Sequence, residues 1–295
     1  MNDCLPVAYF AFNRPDCVKI TLSNLKKNTK ANQAILYIFV DGPRDKFDEK
    51  YIKNNLKVIE ELDLENYFYK VNITVRQKNL GLRESIRSGV SSILELHDRV
   101  VVFEDDHLVH KKTLQYMSDS LDFFRNKKKI GAITASCPIK KFKQNYSEDF
   151  FVSFRNCSHV WGTWSDRWSL VNWNPNKKQP FKDNEAKRIF ESSGKDRINR
   201  LKKALNGSNN SWSIIFGLSM ANLKLMSVYP TFNLVKNIGY GENSTNTVSG
   251  DGSNNEIEFK NYNLCEPEFR KSLNDDLMKV YNRNIFQKIL RYIKS

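Results

Sequence analysis

Val100-Val-Val-Phe-Glu-Asp-Asp106 passes from a wholly apolar run straight into three consecutive carboxylates. A short apolar run of this kind reads as a strand buried on both faces, as in a parallel sheet. Its exit sets Glu104, Asp105 and Asp106 at the C-terminal end of that strand, where open α/β sheets keep their ligand crevice. Adjacent carboxylates repel one another unless water, a basic partner or a cation relieves them. Mg²⁺ or Mn²⁺ suits the task, because a hard divalent ion takes oxygen ligands and then the phosphates of a substrate. The plain alternative is a solvated acidic turn, and the motif alone does not separate the two.

The chain on the N-terminal side of this run alternates regularly. Residues 5–12 are an apolar strand with Asn13-Arg-Pro15 as its exit loop, and Pro15-Asp16 opens a helix with Val18, Leu22 and Leu25 on one face. Residues 34–40 form a second strand ending in Asp41-Gly-Pro43, followed by a helix that carries Ile52, Leu56 and Ile59. Residues 71–75 form a third strand leading into Asn79-Leu-Gly-Leu82, and residues 85–96 a helix with Ile86, Val90 and Ile93. This alternation predicts a mostly parallel sheet with right-handed crossovers and with the strand-exit loops on one edge. Past the acidic turn the pattern loosens. Helices are expected over residues 113–126, 184–192, 198–206 and 212–225, strands over 130–136 and 231–238, and a mobile loop over 249–255. Residues 150–173 are dense in aromatics.

A chain of 295 residues with 40% hydrophobic content can bury a substantial core. Forty-seven basic against 33 acidic residues leave a formal charge of +14, which favours nucleic acid, phosphorylated substrates or an anionic membrane as partners. The lysines are scattered, so a generally basic surface explains the excess equally well. Five cysteines without a C-x-x-C argue against a disulfide framework and against structural zinc, and reduced cytosolic thiols are expected. There is no G-x-G-x-x-G after the first strand and no G-x-x-x-x-G-K-[ST], which disfavours a dinucleotide dehydrogenase and a P-loop hydrolase. The start shows no signal-peptide pattern, and no apolar run approaches the roughly 18–20 residues of a membrane span. In residues 283–295, Ile285, Phe286, Ile289, Leu290 and Ile293 share one helical face amid Arg283, Lys288, Arg291 and Lys294. Such a helix either lies on an anionic membrane or packs on its own domain.

Four strand exits, Phe12-Asn-Arg-Pro15, Val40-Asp-Gly-Pro43, Asn79-Leu-Gly-Leu82 and Phe103-Glu-Asp-Asp106, are joined later by Ser158-His-Val-Trp-Gly-Thr-Trp-Ser-Asp-Arg-Trp168 and Asn233-Leu-Val-Lys-Asn-Ile-Gly-Tyr-Gly-Glu242. Together and in this order they resemble the nucleotide-sugar glycosyltransferases of the A-type fold, and more narrowly the bacterial relatives of N-acetylglucosaminyltransferase I. The resemblance covers residues 5–247. It implies an α/β fold with a single Rossmann-like, mostly parallel nucleotide-binding sheet of the glycosyltransferase A type, helices on both faces and a C-terminal helical extension. The expected domain is residues 1–248, with a sugar-nucleotide half (1–110) and an acceptor half (111–248); residues 249–295 are the extension. The implied activity is metal-dependent, inverting transfer of a hexosyl or N-acetylhexosaminyl group from a nucleoside-diphosphate sugar, with UDP-sugars favoured. The acceptor would be a glycan or a lipid-linked glycan in bacterial surface polysaccharide synthesis. Localisation would be cytoplasmic, or peripheral on the inner face of the cytoplasmic membrane, and no nucleic acid would be bound.

The resemblance also assigns roles. Asn13 and Arg14 would face the nucleotide, Asp41 would hydrogen-bond the base, Gly81 would let the backbone approach the donor, and Arg83 would neutralise a phosphate. Asp106 would ligate Mn²⁺ or Mg²⁺, while Glu104 and Asp105 would orient ribose, sugar or coordinating water. The cation would stabilise the departing diphosphate. Relatives commonly carry an Asp beside the Trp of a later helix and a His near the end of the domain, where this chain has Asn209-Asn-Ser-Trp-Ser213 and Asn246. Asn246 retains an oxygen for a cation, but Asn210 is no base. Asp166, then Glu242, are therefore the expected bases. Trp161, Gly162 and Trp164 are expected to contact the acceptor, against the alternative that these aromatics fill a core. A catalytically impaired, sugar-nucleotide- or glycan-binding relative is the second reading, and a nucleic-acid-binding protein the third.

Overall fold

The computed structural model describes residues 4–142, 146–239 and 256–282. Four parallel strands form its first half: β1 (Leu5–Ala11), β2 (Ala34–Val40), β3 (Lys70–Val75) and β4 (Arg99–Glu104), side by side in the order β3-β2-β1-β4. Helices α1 (Pro15–Leu25), α2 (Lys46–Glu61) and α3 (Gly81–Leu94) make the crossovers. Successive strand residues face opposite sides, and both sides are covered. Val7 and Tyr9 join a core with Val18 and Leu22 of α1 and Ile52 of α2, whereas Ala8 and Phe10 join a second core with Ile86 and Val90 of α3. That double coverage is why β1, β2 and β4 read as apolar runs, whereas the edge strand β3 is largely exposed.

After β4 the chain makes the short strand β5 (His107–Val109), then α4 (Thr113–Phe124) on the α1 side of the sheet. The main sheet grows by β6 (Ile130–Thr134), β7 (Phe150–Ser153), β8 (Trp161–Trp164) and β9 (Met226–Pro230), giving β3-β2-β1-β4-β8-β6-β9-β7. Four of the seven neighbouring pairs are parallel; β8 runs antiparallel to β4 and β6, and β7 antiparallel to β9. The strand expected over 231–238 shrinks to β10 (Val235–Asn237), which leaves the main sheet and pairs antiparallel with β5. Between β8 and β9 lie α5 (Ser165–Trp168), α6 (Asn184–Ser192), α7 (Arg197–Leu205) and α8 (Trp212–Asn222). Trp212, Phe216 and Met220 of α8 complete the core on the α3 side.

The described part of the extension packs on the sheet. Helix α9 (Lys271–Tyr281) sets Leu273 and Leu277 against Phe151 and Tyr229 of the β7 edge. Tyr262 donates its hydroxyl hydrogen to Asp119 of α4 at 2.9 Å. The loop expected over 249–255 and the basic helix 283–295 lie outside the described residues. Among the described residues, no helix is long and apolar enough to cross a membrane. All five cysteines are free of disulfides.

Candidate active site

The strand order reverses beside β1: the chain winds outward through β2 and β3, then returns to β4 on the other flank of β1. Ligands of open α/β sheets bind at such a switch point, outside the carboxyl ends of the strands. Register makes this concrete. Phe10 pairs with Glu104 and Ala11 with Val40, so the loops after β1, β2 and β4 are neighbours. A cavity of ≈ 560 Å³ opens over them, within the range of small-molecule sites. Asn13, Arg14, Asp41, Gly81, Glu104, Asp105 and Asp106 all line it.

Arg14 sits among the carboxylates. Its guanidinium donates to both oxygens of Asp105, with Nε 3.3 Å from Oδ2, and reaches Asp106 Oδ2 at 3.1 Å. Burial opposes the Arg14 charge, but Asp105 and Asp106 more than restore it. Burial, then Asp106 and Asp105, push the Glu104 carboxyl up to about 8, with Trp212 and Arg14 offsetting part of the rise. Asp105 is raised to about 6 because burial outweighs its pairing with Arg14. Burial would raise Asp106 too, yet its surroundings hold it below the usual carboxylate range. His107, Arg14 and His159 beside it and a hydrogen bond from Asn237 all lower it, while burial pushes His107 itself down to about 4 and leaves its imidazole neutral at pH 7. His107 Nδ1 accepts from the Glu104 backbone N–H at 3.1 Å, which puts the ring proton on Nε2. That nitrogen is 3.7 Å from Asp106 Oδ1, too far for a hydrogen bond. Asp106 Oδ1 is thus buried without a hydrogen-bond partner.

The backbone holds Asp106 on two sides. The Ile238 N–H donates to its carbonyl at 2.9 Å, while Gly239 passes so close that an added Cβ would overlap Asp106 Oδ2. Asp41 is occupied otherwise than expected. Its carboxylate accepts from the backbone N–H groups of Gly42, Leu80 and Gly81, each at 3.0 Å, and from the Asn79 amide at 3.3 Å. It shapes the loop before α3. There Gly81 has φ +74°, and a side chain at this position would strike the Asn210 amide. Asn13 donates to Asp48 at 2.7 Å, and Asp48 also takes the fork of Arg44, so one buried carboxylate ties the exits of β1 and β2 together.

Other expected site residues lie elsewhere. Arg83 turns away from the cavity and donates to the carbonyls of Asn209 at 2.9 Å and Ala204 at 3.3 Å, bracing the segment that carries Asn210. Trp161, Gly162 and Trp164 lie in β8, buried in the middle of the sheet. Trp161 approaches the cavity only through Trp212, on which it stacks at 4.6 Å. Asp166 is corrected most sharply. Because β8 is antiparallel, Trp164 pairs with Arg99 at the amino end of β4. Asp166 is beyond that end, roughly 17 Å or more along the strand from Glu104 at about 3.3 Å per residue. It is half-exposed and paired with Lys128 at 2.6 Å and Arg167 at 2.7 Å. Glu242 and Asn246 lie outside the described residues.

Sequence reasoning missed several lining groups: Arg44, Arg200, His107, Ser213 and Asn237. His159 also lines the cavity, its ring edge-on to His107 with centroids 5.6 Å apart. Among the described residues, no three His, Cys, Asp or Glu side chains converge to hold a metal unaided.

No protein-family model and no curated protein matches the chain. Among solved structures, it is similar to S. aureus TarS 1–349 in complex with UDP, at 14% identity over 57% of this chain and 48% of that one, with a TM-score of 0.39. It is similar also to the mannosyltransferase PcManGT from Pyrobaculum calidifontis in complex with GDP-Man and Mn²⁺, at 11% identity over 54% and 44% of the two chains and a TM-score of 0.37. S. aureus TarS matches over 79% of this chain and 36% of its own, at 9% identity and a TM-score of 0.44. The similar part spans about half or less of each of these three chains.

Proposed function

We propose that this chain is a glycosyltransferase of the A type that uses a nucleoside-diphosphate sugar. One observation carries the reading: Asp106 lines the cavity at the β1/β4 switch point, and its buried Oδ1 has no hydrogen-bond partner. A lone hard oxygen donor fits Mn²⁺ or Mg²⁺, which bind through one or two carboxylates and complete their shell with substrate phosphates and water. When bound there, the ion would neutralise charge growing on the departing diphosphate.

The chain's own groups do the rest. Arg14 and Arg44 bring positive charge to the side on which a diphosphate would sit. Asn79 and the Asp41-braced loop shape the base end, and Phe12 offers a ring face beneath Arg44. Attack by an acceptor hydroxyl needs a proton acceptor, and with Asp166 remote we assign His159. Uridine diphosphate hexoses and N-acetylhexosamines are the first donors to test, with a glycan or lipid-linked acceptor in surface polysaccharide synthesis. The +14 charge suits an anionic acceptor or membrane surface.

Calorimetric titration of UDP-sugars with and without Mn²⁺ tests the carrying observation. Asp106→Ala should abolish the metal-dependent part of the affinity, and unchanged binding would sink the assignment. His159→Gln should lower turnover far more than donor affinity. Asn210, which lines the cavity and cannot act as a base, favours a second reading: binding without transfer. Donor binding with neither hydrolysis nor transfer across an acceptor panel would select it.

A further inference from the structure

A second cavity of ≈ 120 Å³ adjoins the first and shares Ser158, His159, Arg200 and Ser213 with it. Arg155, Arg197 and Arg200 converge on it. The neighbouring carboxylate is Asp196, and it is already engaged: Arg155 forks it at 2.9 and 3.0 Å, and Arg200 reaches it at 3.5 Å. Three guanidinium groups against one carboxylate leave two positive charges. Arg197 is the extreme case. It is 2% exposed, its Nη1 donates to Asn156 at 3.1 Å, and its Nε and Nη2 have no partner. Burial first, then Arg155 and Arg200, depress its pKa to about 9, so it keeps its charge at neutral pH. Gly217 of α8 makes room for this arrangement, since a Cβ there would overlap Arg197 Nη2.

A buried guanidinium without a carboxylate partner is costly even over the Phe190 ring, 4.5 Å away, and three guanidinium groups lining one cavity mark a seat for an oxyanion. We propose that this cavity is a phosphate-binding subsite, separate from the Asp106 edge, that seats a phosphate group carried by the acceptor. Two surplus positive charges match a phosphate dianion, and the Ser213 hydroxyl adds a donor. The shared wall at Ser158 and His159 would put the acceptor's sugar end beside the larger cavity. The acceptor role rests on the transfer reading above; phosphate binding does not.

The test titrates inorganic phosphate into the full chain without nucleotide, in wild type, Asp106→Asn, Arg197→Met and Arg200→Gln. Wild type and Asp106→Asn should bind alike, while Arg197→Met should lose at least about tenfold, the scale of one charge-assisted contact. Should Arg197→Met fail to fold, Arg200→Gln, on a half-exposed side chain, should still weaken phosphate binding with an unchanged far-UV spectrum. Binding lost in Asp106→Asn but retained in the arginine variants would overturn the proposal, as would no measurable phosphate binding by folded wild type. A second arm competes bound phosphate with glycerol 3-phosphate or with phosphatidic acid vesicles. Competition by either supports an acceptor phosphate and tells a soluble carrier from a lipid one; competition by neither overturns the acceptor role. Failure of sugar-nucleotide binding with phosphate binding intact would remove the transfer reading alone.

Discussion

Gly239 and Asp106 are 133 positions apart in sequence and in contact in space, because the β5–β10 pair folds the later segment over the acidic turn. Gly239→Ala should push Asp106 Oδ2 and Arg14 out of place. We expect Mn²⁺-dependent donor affinity to fall roughly 10–100-fold, the usual cost of disturbing a group that orients a metal ligand, with little change in thermal midpoint. Equal affinity by calorimetry would show that the close approach is incidental. Asp48 makes a pH-dependent prediction. Its hydrogen bond from Arg44, helped by Asn13, lowers its pKa from 3.8 to about 2 despite burial. The folded value lies below the unfolded one, so the stabilisation is present in full above about pH 4 and fades as pH falls through about 2. Asp48→Asn should cost about 1–2 kcal/mol near neutrality, allowing for the exposed Arg44 side of the pair. Urea unfolding should show that gap closing below about pH 3–4. Arg44 was within reach of sequence reasoning, since it directly follows Asp41-Gly-Pro43 and so lies on the same sheet edge. Arg200 gave no such signal, because only the packing of α7 on α8 carries it to the cavity.

Strand direction separates what could be read from what could not. In β1, β2 and β4 most residues face one of two cores, so the apolar runs announce themselves and the polar residue after each one marks the ligand edge. Asn13, Asp41 and the Glu104–Asp106 group were legible for that reason. β8 is equally apolar, but nothing local says that it runs antiparallel, and its direction decides whether residues 161–166 meet the crevice or the far edge. The Trp-rich segment therefore reads as an acceptor platform and folds as a central strand. Trp164 donates its indole N–H to the Leu121 carbonyl at 3.0 Å within the core. Trp164→Ala should cost about 3–5 kcal/mol of stability, typical of deleting a buried aromatic, and leave donor affinity per folded molecule unchanged. An acceptor platform would show the reverse, an intact fold with a raised acceptor KM. Asp166→Asn should likewise keep wild-type turnover and lose only about 1 kcal/mol through its partner Arg167, which three backbone carbonyls also hold.

Both halves of the sheet, and the extension beyond them, meet at the two cavities. β7 is four strands from β4, so α9 packs about 19 Å across the sheet from the acidic turn at about 4.8 Å per strand. Yet the last residue of α9, Tyr281, lines the smaller cavity, and the Arg155 guanidinium lies 3.6 Å over its ring. Among the described residues, the extension is therefore a wall of the arginine cavity and does not line the Asp106 edge, which gives a way to uncouple the two. Leu277 is fully buried between Phe151 and Tyr229. Leu277→Ala should lower unfolding free energy by about 2–5 kcal/mol. It should also loosen α9 enough to weaken phosphate binding several-fold, while UDP-sugar affinity stays within error of wild type. Parallel titrations of the two ligands on one protein preparation decide the matter. Equal losses for both would mean that the cavities act as a single site, and no loss for either would reduce α9 to a cover on the β7 edge.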